Sequence, residues 1–133
     1  MEFDFKALKE KVLAQIALDE EDKKVREIEA SGVLTHRLLL SLVSYDPLTG
    51  LFTHKVGRLK GQEAGTVNGR GYVDIKLRQK IYQAHRLAWF YTYGEWPKLE
   101  IDHKNRIRTD NKIDNLRDVS HQVNSMNKEK KNV

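Results

Sequence analysis

A chain of 133 residues with no cysteine and a net charge of +5 has the length of one domain and excludes several classes of protein. Without cysteine it has no disulfide, thiol nucleophile or thiolate zinc site, and its five histidines give little support for a structural zinc. No apolar run approaches the roughly 20 residues that span a bilayer, and the acidic start lacks the basic flank of a signal peptide. We therefore expect a cytoplasmic protein that does not contact membranes.

The first predicted elements are helical. Apolar residues recur at helical spacing from Leu8 to Ile16 in a stretch without Gly or Pro, which predicts one or two amphipathic helices over residues 4–29, ending near Gly32. We expect this N-terminal helical region, residues 1–34, to use its apolar side for packing. The alternative is an arm that binds a partner.

A short helix and then strands are predicted next. Thr35 is a good N-cap for a helix that runs to Ser44. From residue 45 the pattern changes: residues 46–50 have the composition of a turn, and residues 72–77 alternate between apolar and polar as a half-buried strand does. Residues 45–84 therefore predict a small antiparallel sheet.

A helix after this sheet is predicted from His85 to Tyr93, ended by Gly94. Because His85 opens an apolar helix, we expect it to pack or to form a hydrogen bond behind a site rather than to act in it. His36 and His54 are expected at the surface.

The charge is unevenly distributed between the two parts of the chain. Residues 1–30 carry six Lys or Arg against nine Asp or Glu, a net charge of −3, whereas residues 31–133 carry 18 against 10, a net charge of +8. Lys and Arg that neutralise phosphates supply most non-specific affinity for nucleic acid, so the second part is typical of a nucleic-acid binder. On charge alone, a basic surface that only confers solubility is an equally good interpretation.

The C-terminal part concentrates chemically useful side chains. It contains Ile101-Asp102-His103-Lys104-Asn105, then Asp114-Asn115-Leu116, and then Gln122-Val123-Asn124. The pattern predicts a strand over 99–102, a polar loop, a second strand over 116–119 and a final helix from His121 to about Lys130. Adjacent side chains of a strand point to opposite faces, so Asp102 and His103 can share a site only where the strand ends.

These groups suit metal-assisted hydrolysis of a phosphodiester. Mg²⁺ prefers oxygen ligands, few of them from the protein, and Asp102 and the amide oxygen of Asn124 meet that preference. A neutral imidazole at His103 can take the proton from an attacking water near pH 7. His121 shares a helix face with Asn124 and is an alternative ligand. Taken singly, each of these residues is more often structural than catalytic.

Residues 99–127 resemble the ββα-metal core of the HNH endonucleases, particularly the homing and phage-encoded type. Upstream segments occur in similar order in phage HNH proteins: Tyr45-Asp46-Pro47-x-Thr49-Gly50, Ala64-Gly65, Gly71-Tyr72 and Ala84-His85-Arg86-Leu87-Ala88-Trp89. The resemblance covers about residues 35–128. It implies an HNH domain over residues 35–133, with a DNA-contacting sheet over 45–84 and a ββα-metal core over 99–128.

Carried over to this chain, the resemblance implies Asp102 as a metal ligand and His103 as the general base. Asn115 matches the middle Asn of the HNH motif. In the family, the side chain of this Asn braces the loop between the two strands and helps to hold the residue that corresponds to His103. Asn124 stands where the last His of the family name usually stands, and similar homing-type members have Asn there. An amide oxygen suits Mg²⁺, or Mn²⁺, better than zinc.

The hypothesis from the sequence is an α+β protein with N-terminal helices, a small antiparallel sheet and a C-terminal ββα-metal nuclease core. It would hydrolyse double-stranded DNA as a monomer or weak dimer, in the host cell cytoplasm if it is phage-encoded. Seven basic residues are predicted to bind the nucleic acid: Arg70, Lys80, Arg86, Lys104, Arg106, Arg108 and Lys112. One alternative is a catalytically inactive DNA-binding module on the same fold. In a weaker alternative, residues 1–30 form the functional part, a helix that binds a partner or pairs with a second copy, and the rest of the chain is its scaffold.

Overall fold

The computed structural model describes residues 4–119, and the chain divides into two units, Met1–Thr35 and His36–Val133. Helices and small antiparallel sheets make it an α+β protein, as predicted. The predicted final helix, with His121 and Asn124, lies outside the described residues. Within residues 4–119, no helix combines the length and the apolar character needed to cross a membrane.

The first unit contains one continuous helix, α1, Phe5–Ala30. The Asp4 side chain caps its start by accepting a hydrogen bond from the Ala7 amide at 3.0 Å. The predicted helix is confirmed as a single continuous element. Apolar residues occupy one face of α1 only in its first half, and Asp19 and Lys23 continue that face in its second half.

The second unit opens with α2, His36–Leu42, which runs directly into strand β1, Val43–Asp46. The predicted helix is therefore shorter at its end, because Val43 and Tyr45 alternate inward as strand residues. Strands β2, Leu51–His54, and β3, Glu63–Ala64, complete an antiparallel sheet in the order β1-β2-β3.

A second antiparallel sheet has the order β4-β5-β6. Its strands are Thr66–Val67, Val73–Leu77 and Lys80–Gln83. The single small sheet predicted over residues 45–84 is thus two three-stranded sheets. Two residues, Arg78 and Gln79, connect β5 to β6, and both have positive φ, 48° and 67°.

Helix α3, Ala84–Tyr93, follows β6 directly and ends at Gly94 in the left-handed conformation, as predicted. Its residues Leu87 and Ala88 are fully buried. Its last turn also contacts α2: the His36 Nε2 donates to the Tyr91 carbonyl at 2.9 Å, so His36 is not the surface residue that we expected. The largest fully buried side chains of the described part are Phe52, Leu39, Ile75, Leu87 and Val43.

The last described element is a hairpin of β7, Glu100–His103, and β8, Leu116–Val119. Its strands are antiparallel, with His103 opposite Leu116. The connecting loop ends in a 3₁₀ turn, Ile113–Asn115. The predicted order of strand, loop and strand is confirmed, and the helix that would complete a ββα unit lies beyond residue 119.

Candidate functional site

The candidate site is built around the imidazole of His103, the last residue of β7, which is only 5% exposed. Its Nε2 lies 2.9 Å from Oδ1 of Asn111. Because an amide oxygen can only accept a hydrogen bond, Nε2 carries the proton and Nδ1 keeps its lone pair. The ring is therefore held in the tautomer that leaves Nδ1 able to accept a proton.

Asn111 was missed by the sequence reasoning, which assigned it to a polar loop. It is 2% exposed, and its backbone carbonyl accepts a hydrogen bond from the hydroxyl of Tyr45 at 2.6 Å. Burial raises the pKa of Tyr45 to about 12, so this hydroxyl stays protonated and remains a donor. Only the amide chemistry of Asn111 was visible in the sequence, and an amide in a loop is ordinarily a turn former.

Two other rings pack against His103. The ring centroid of His85 lies 5.1 Å from that of His103, and the ring of Tyr72 lies 5.3 Å from His85 and 6.0 Å from His103. His85 is 6% exposed, and its Nδ1 has no hydrogen-bond partner among the described residues. The prediction that His85 packs behind the site is confirmed.

His85 is neutral at physiological pH. Its burial, and then the positive charges that His103 and Arg86 can carry, lower the pKa of His85 to about 4. A neutral ring behind His103 adds no charge to the interior of the site.

Asp102 precedes His103 in β7 and is half-buried. It stands directly opposite Arg117 of β8, and the two side chains form an ion pair across the hairpin. As the sequence predicts, Asp102 and His103 are the last residues of their strand. The only carboxylate proposed as a metal ligand therefore already has a cationic partner.

Asn115 holds the loop between the two strands. Its Oδ1 accepts from the amide of Asn105 at 3.0 Å, and its Nδ2 donates to the side-chain oxygen of Asn105 at 2.9 Å and to the carbonyl of Asp110 at 2.8 Å. These bonds connect the beginning of the loop to its end. The side chain that contacts His103 is Asn111, which lies next to this braced segment.

Residues 82–126 match a family of proteins described as HNH endonucleases. The solved structure of the HNH homing endonuclease I-HmuI, concerned with DNA binding and cleavage, is similar at a TM-score of 0.56 and 25% identity over 68% of this chain. Both comparisons support assignment to the HNH endonuclease family. The chain spans about half, 53%, of the I-HmuI chain. Among curated proteins, none matches.

The HNH match contains three of the four predicted catalytic positions within the described residues, namely Asp102, His103 and Asn115. Of the predicted metal ligands, only Asp102 is described, because Asn124 and the alternative His121 lie beyond residue 119. Residues 4–119 contain no group of three or more His, Asp or Glu side chains placed to hold a metal. A hard cation such as Mg²⁺ needs only one or two protein oxygens, because water and phosphate fill its other positions.

Contacts within the protein are made by Arg86, Lys104, Arg108 and Lys112. Arg108 donates to the Arg70 carbonyl, and its guanidinium lies 4.8 Å from the centre of the Tyr72 ring. In residues 104–115, the loop between β7 and β8 that is called the HNH loop below, Lys104 donates to the Asp114 carbonyl at 2.9 Å. The other two contacts are an ion pair of Lys112 with Asp110 at 3.6 Å and the guanidinium of Arg86, 5.9 Å from the Trp96 ring.

Arg70, Lys80 and Arg106 are exposed residues. Arg70 lies in the turn between β4 and β5, Lys80 begins β6, and Arg106 lies in the HNH loop with a positive φ of 64°. They therefore belong to a turn, the start of a strand and a loop rather than to one helix. Such an arrangement suits contact with a phosphate backbone, which needs charge but no base-reading element.

Proposed function

We propose that this protein is a DNA endonuclease of the HNH type that hydrolyses phosphodiester bonds with one divalent metal ion and a histidine general base. The observation that carries the proposal is the state of His103. Its ring is buried and donates from Nε2 to Asn111, while the Asp102 carboxylate precedes it at the end of β7. Hydrolysis with a general base requires a proton acceptor that is held in position, and the bond to Asn111 supplies that for His103.

In this proposal, Nδ1 of His103 accepts a proton from a water molecule while the water oxygen attacks phosphorus. The bond from phosphorus to the 3′ oxygen breaks, and that oxygen leaves with the electron pair. Because the rings of His85 and Tyr72 pack against the imidazole, its orientation is restricted. Asn115 contributes by holding the loop on which Asn111 lies.

The donor chemistry fits a hard divalent cation. Asp102 offers carboxylate oxygens, and Asn124 would add an amide oxygen, so these two residues would hold Mg²⁺ or Mn²⁺. When bound, such an ion would stabilise negative charge on the phosphate and on the leaving oxygen. The proposed substrate is double-stranded DNA, held by the seven predicted basic residues and cut by a monomer or weak dimer.

The test is cleavage of supercoiled plasmid in the presence of Mg²⁺ or Mn²⁺, with a chelator as the metal-free reference. His103→Ala should fold and bind DNA as the wild type does but cut about 10²- to 10⁴-fold more slowly, the usual effect of losing a general base. His54→Ala, at a histidine of β2, is the matched control and should keep full activity. Equal cutting by His103→Ala and the wild type would exclude this role for His103.

The same plasmid assay tests the alternative function, DNA binding without cleavage. A catalytically inactive DNA-binding module would bind the plasmid but would leave it intact with either metal ion. The basic net charge of +8 over residues 31–133 supports both functions equally. Cleavage of the plasmid therefore decides between the two functions.

A further inference from the structure

We propose that Tyr45, a residue of the first sheet outside the HNH match, is a positioning residue for His103 and acts through Asn111. The inference rests on the proposed function in one respect, namely that His103 is the base. Two consecutive contacts carry it: the Tyr45 hydroxyl holds the backbone of Asn111, and the side chain of Asn111 holds the imidazole of His103.

The first contact is anchored in the core. Tyr45 is 9% exposed, and its ring packs against Phe52 and Tyr91, with centroids 4.8 Å and 5.6 Å away. Its hydroxyl is therefore fixed by two neighbouring rings before it donates to Asn111 at 2.6 Å. A donor fixed in this way determines where the acceptor carbonyl can lie.

The turn after Tyr45 supports the same peptide from a second direction. A Cβ added at Gly50 would lie 2.4 Å from the Lys112 nitrogen and 2.5 Å from the Asn111 carbonyl carbon. Gly50 also has a φ of +75°, and its amide donates to the Asp46 carbonyl at 2.7 Å, which holds the turn in place. The peptide between Asn111 and Lys112 thus packs directly on the backbone of this turn.

The second contact transmits this placement to the site. Asn111 is 2% exposed and His103 is 5% exposed, so their hydrogen bond lies in a buried environment where a displaced partner cannot be replaced freely by water. If Asn111 moves, the imidazole loses the acceptor that selects its Nε2–H tautomer. Misplacement of a reacting group by about 1 Å can lower a rate by up to ~10²-fold.

Tyr45→Phe tests the proposal because it removes only the hydroxyl. We expect kcat for plasmid cleavage to fall about 10-fold while the Kd for DNA stays within about 2-fold of the wild type. Tyr93→Phe removes an exposed hydroxyl, so it serves as the control variant and should keep kcat. A kcat in Tyr45→Phe equal to that of the wild type would overturn the proposal.

A measurement independent of cleavage separates this inference from the proposed function. Nitrogen NMR of the histidine rings, assigned with His103→Ala, should show the Nε2–H tautomer for His103 in the wild type and a mixture in Tyr45→Phe. Gly50→Ala should produce the same change, because it displaces the same peptide without removing a hydrogen-bonding group. If the wild type does not cleave DNA, the nuclease proposal fails while these spectra still decide the role of Tyr45. An unaltered His103 tautomer in both variants would refute that role.

Discussion

Asp102 and Arg117 stand directly opposite each other in the β7–β8 hairpin and form an ion pair. The pair joins the only described metal-ligand candidate to a cation, so a divalent ion bound at Asp102 would compete with Arg117 for the same carboxylate. The Arg117 side chain is 43% exposed. An ion pair with such a partner contributes only about 0–1 kcal/mol, so displacement of the guanidinium costs little.

Arg117→Gln should therefore strengthen metal binding. We expect the Mg²⁺ concentration for half-maximal cleavage to fall by about 2- to 5-fold, which corresponds to the removal of up to ~1 kcal/mol of competition. The measurement is a titration of the cleavage rate with Mg²⁺. Arg26→Gln breaks another exposed ion pair, with Asp22 in α1, and should leave the titration unchanged. A higher Mg²⁺ requirement in Arg117→Gln would show that Arg117 assists the metal site instead.

Acid should destabilise the protein through His85. Its pKa in the folded state is about 4, below the value of about 6.5 in an unfolded chain, so the unfolded state binds more protons between these two pH values. Stability from the neutral buried ring is therefore complete above about pH 6.5 and is lost as the pH falls towards 4. The loss amounts to at most about 3 kcal/mol.

Urea unfolding at several pH values between about 6.5 and 4.5 measures this effect, above the range in which most carboxylates titrate. His85→Gln removes the titrating group, so its unfolding free energy should change less over this interval than that of the wild type. Equal pH dependence in the two proteins would show that His85 is not the group responsible. His54→Gln serves as the control for loss of a histidine outside the cluster.

The hairpin of the candidate site could be predicted from the sequence, whereas its support from the first sheet could not. Asp102, His103 and Asn115 lie within one short strand, loop and strand, where local periodicity and turn composition determine the structure. Tyr45 and Asn111 are 66 positions apart. Their contact depends on how the first sheet and the HNH loop pack together, and no local pattern reports that packing.

The sequence also could not predict which side chains contact each other. Apolar spacing correctly predicted the helix α1, because the spacing of apolar residues is a local property of the chain. Charge similarly identified Arg108 as basic without revealing that it holds the Arg70 carbonyl and stacks on Tyr72. Local composition specifies elements, and the tertiary fold decides which side chains meet.

The turn between β5 and β6 should be open to stabilisation. Arg78 and Gln79 both have positive φ, which two-residue hairpin turns normally fill with Asn and Gly. Side chains in this region cost about 1 kcal/mol or more each, so the double change Arg78→Asn with Gln79→Gly should stabilise the fold by about 1–2 kcal/mol. Thermal unfolding measures the gain. Arg58→Asn, at a residue without positive φ, should have little effect on stability. If the double variant is no more stable than the wild type, the turn is not strained.

DNA affinity should depend on the exposed bases of the second unit and not on the acidic N-terminal helix, as the net charges of +8 and −3 indicate. Each neutralised phosphate releases counterions, so affinity should fall steeply between about 50 and about 200 mM salt. Replacing Arg70, Lys80 and Arg106 together by Ala should flatten the plot of log affinity against log salt by up to ~3 units, about one for each phosphate that is no longer neutralised. Arg108 is left out of this variant because it also holds the Arg70 carbonyl. Deletion of residues 1–30 should leave the slope unchanged. A slope that falls on the deletion but not in the triple variant would move the DNA-binding surface to α1.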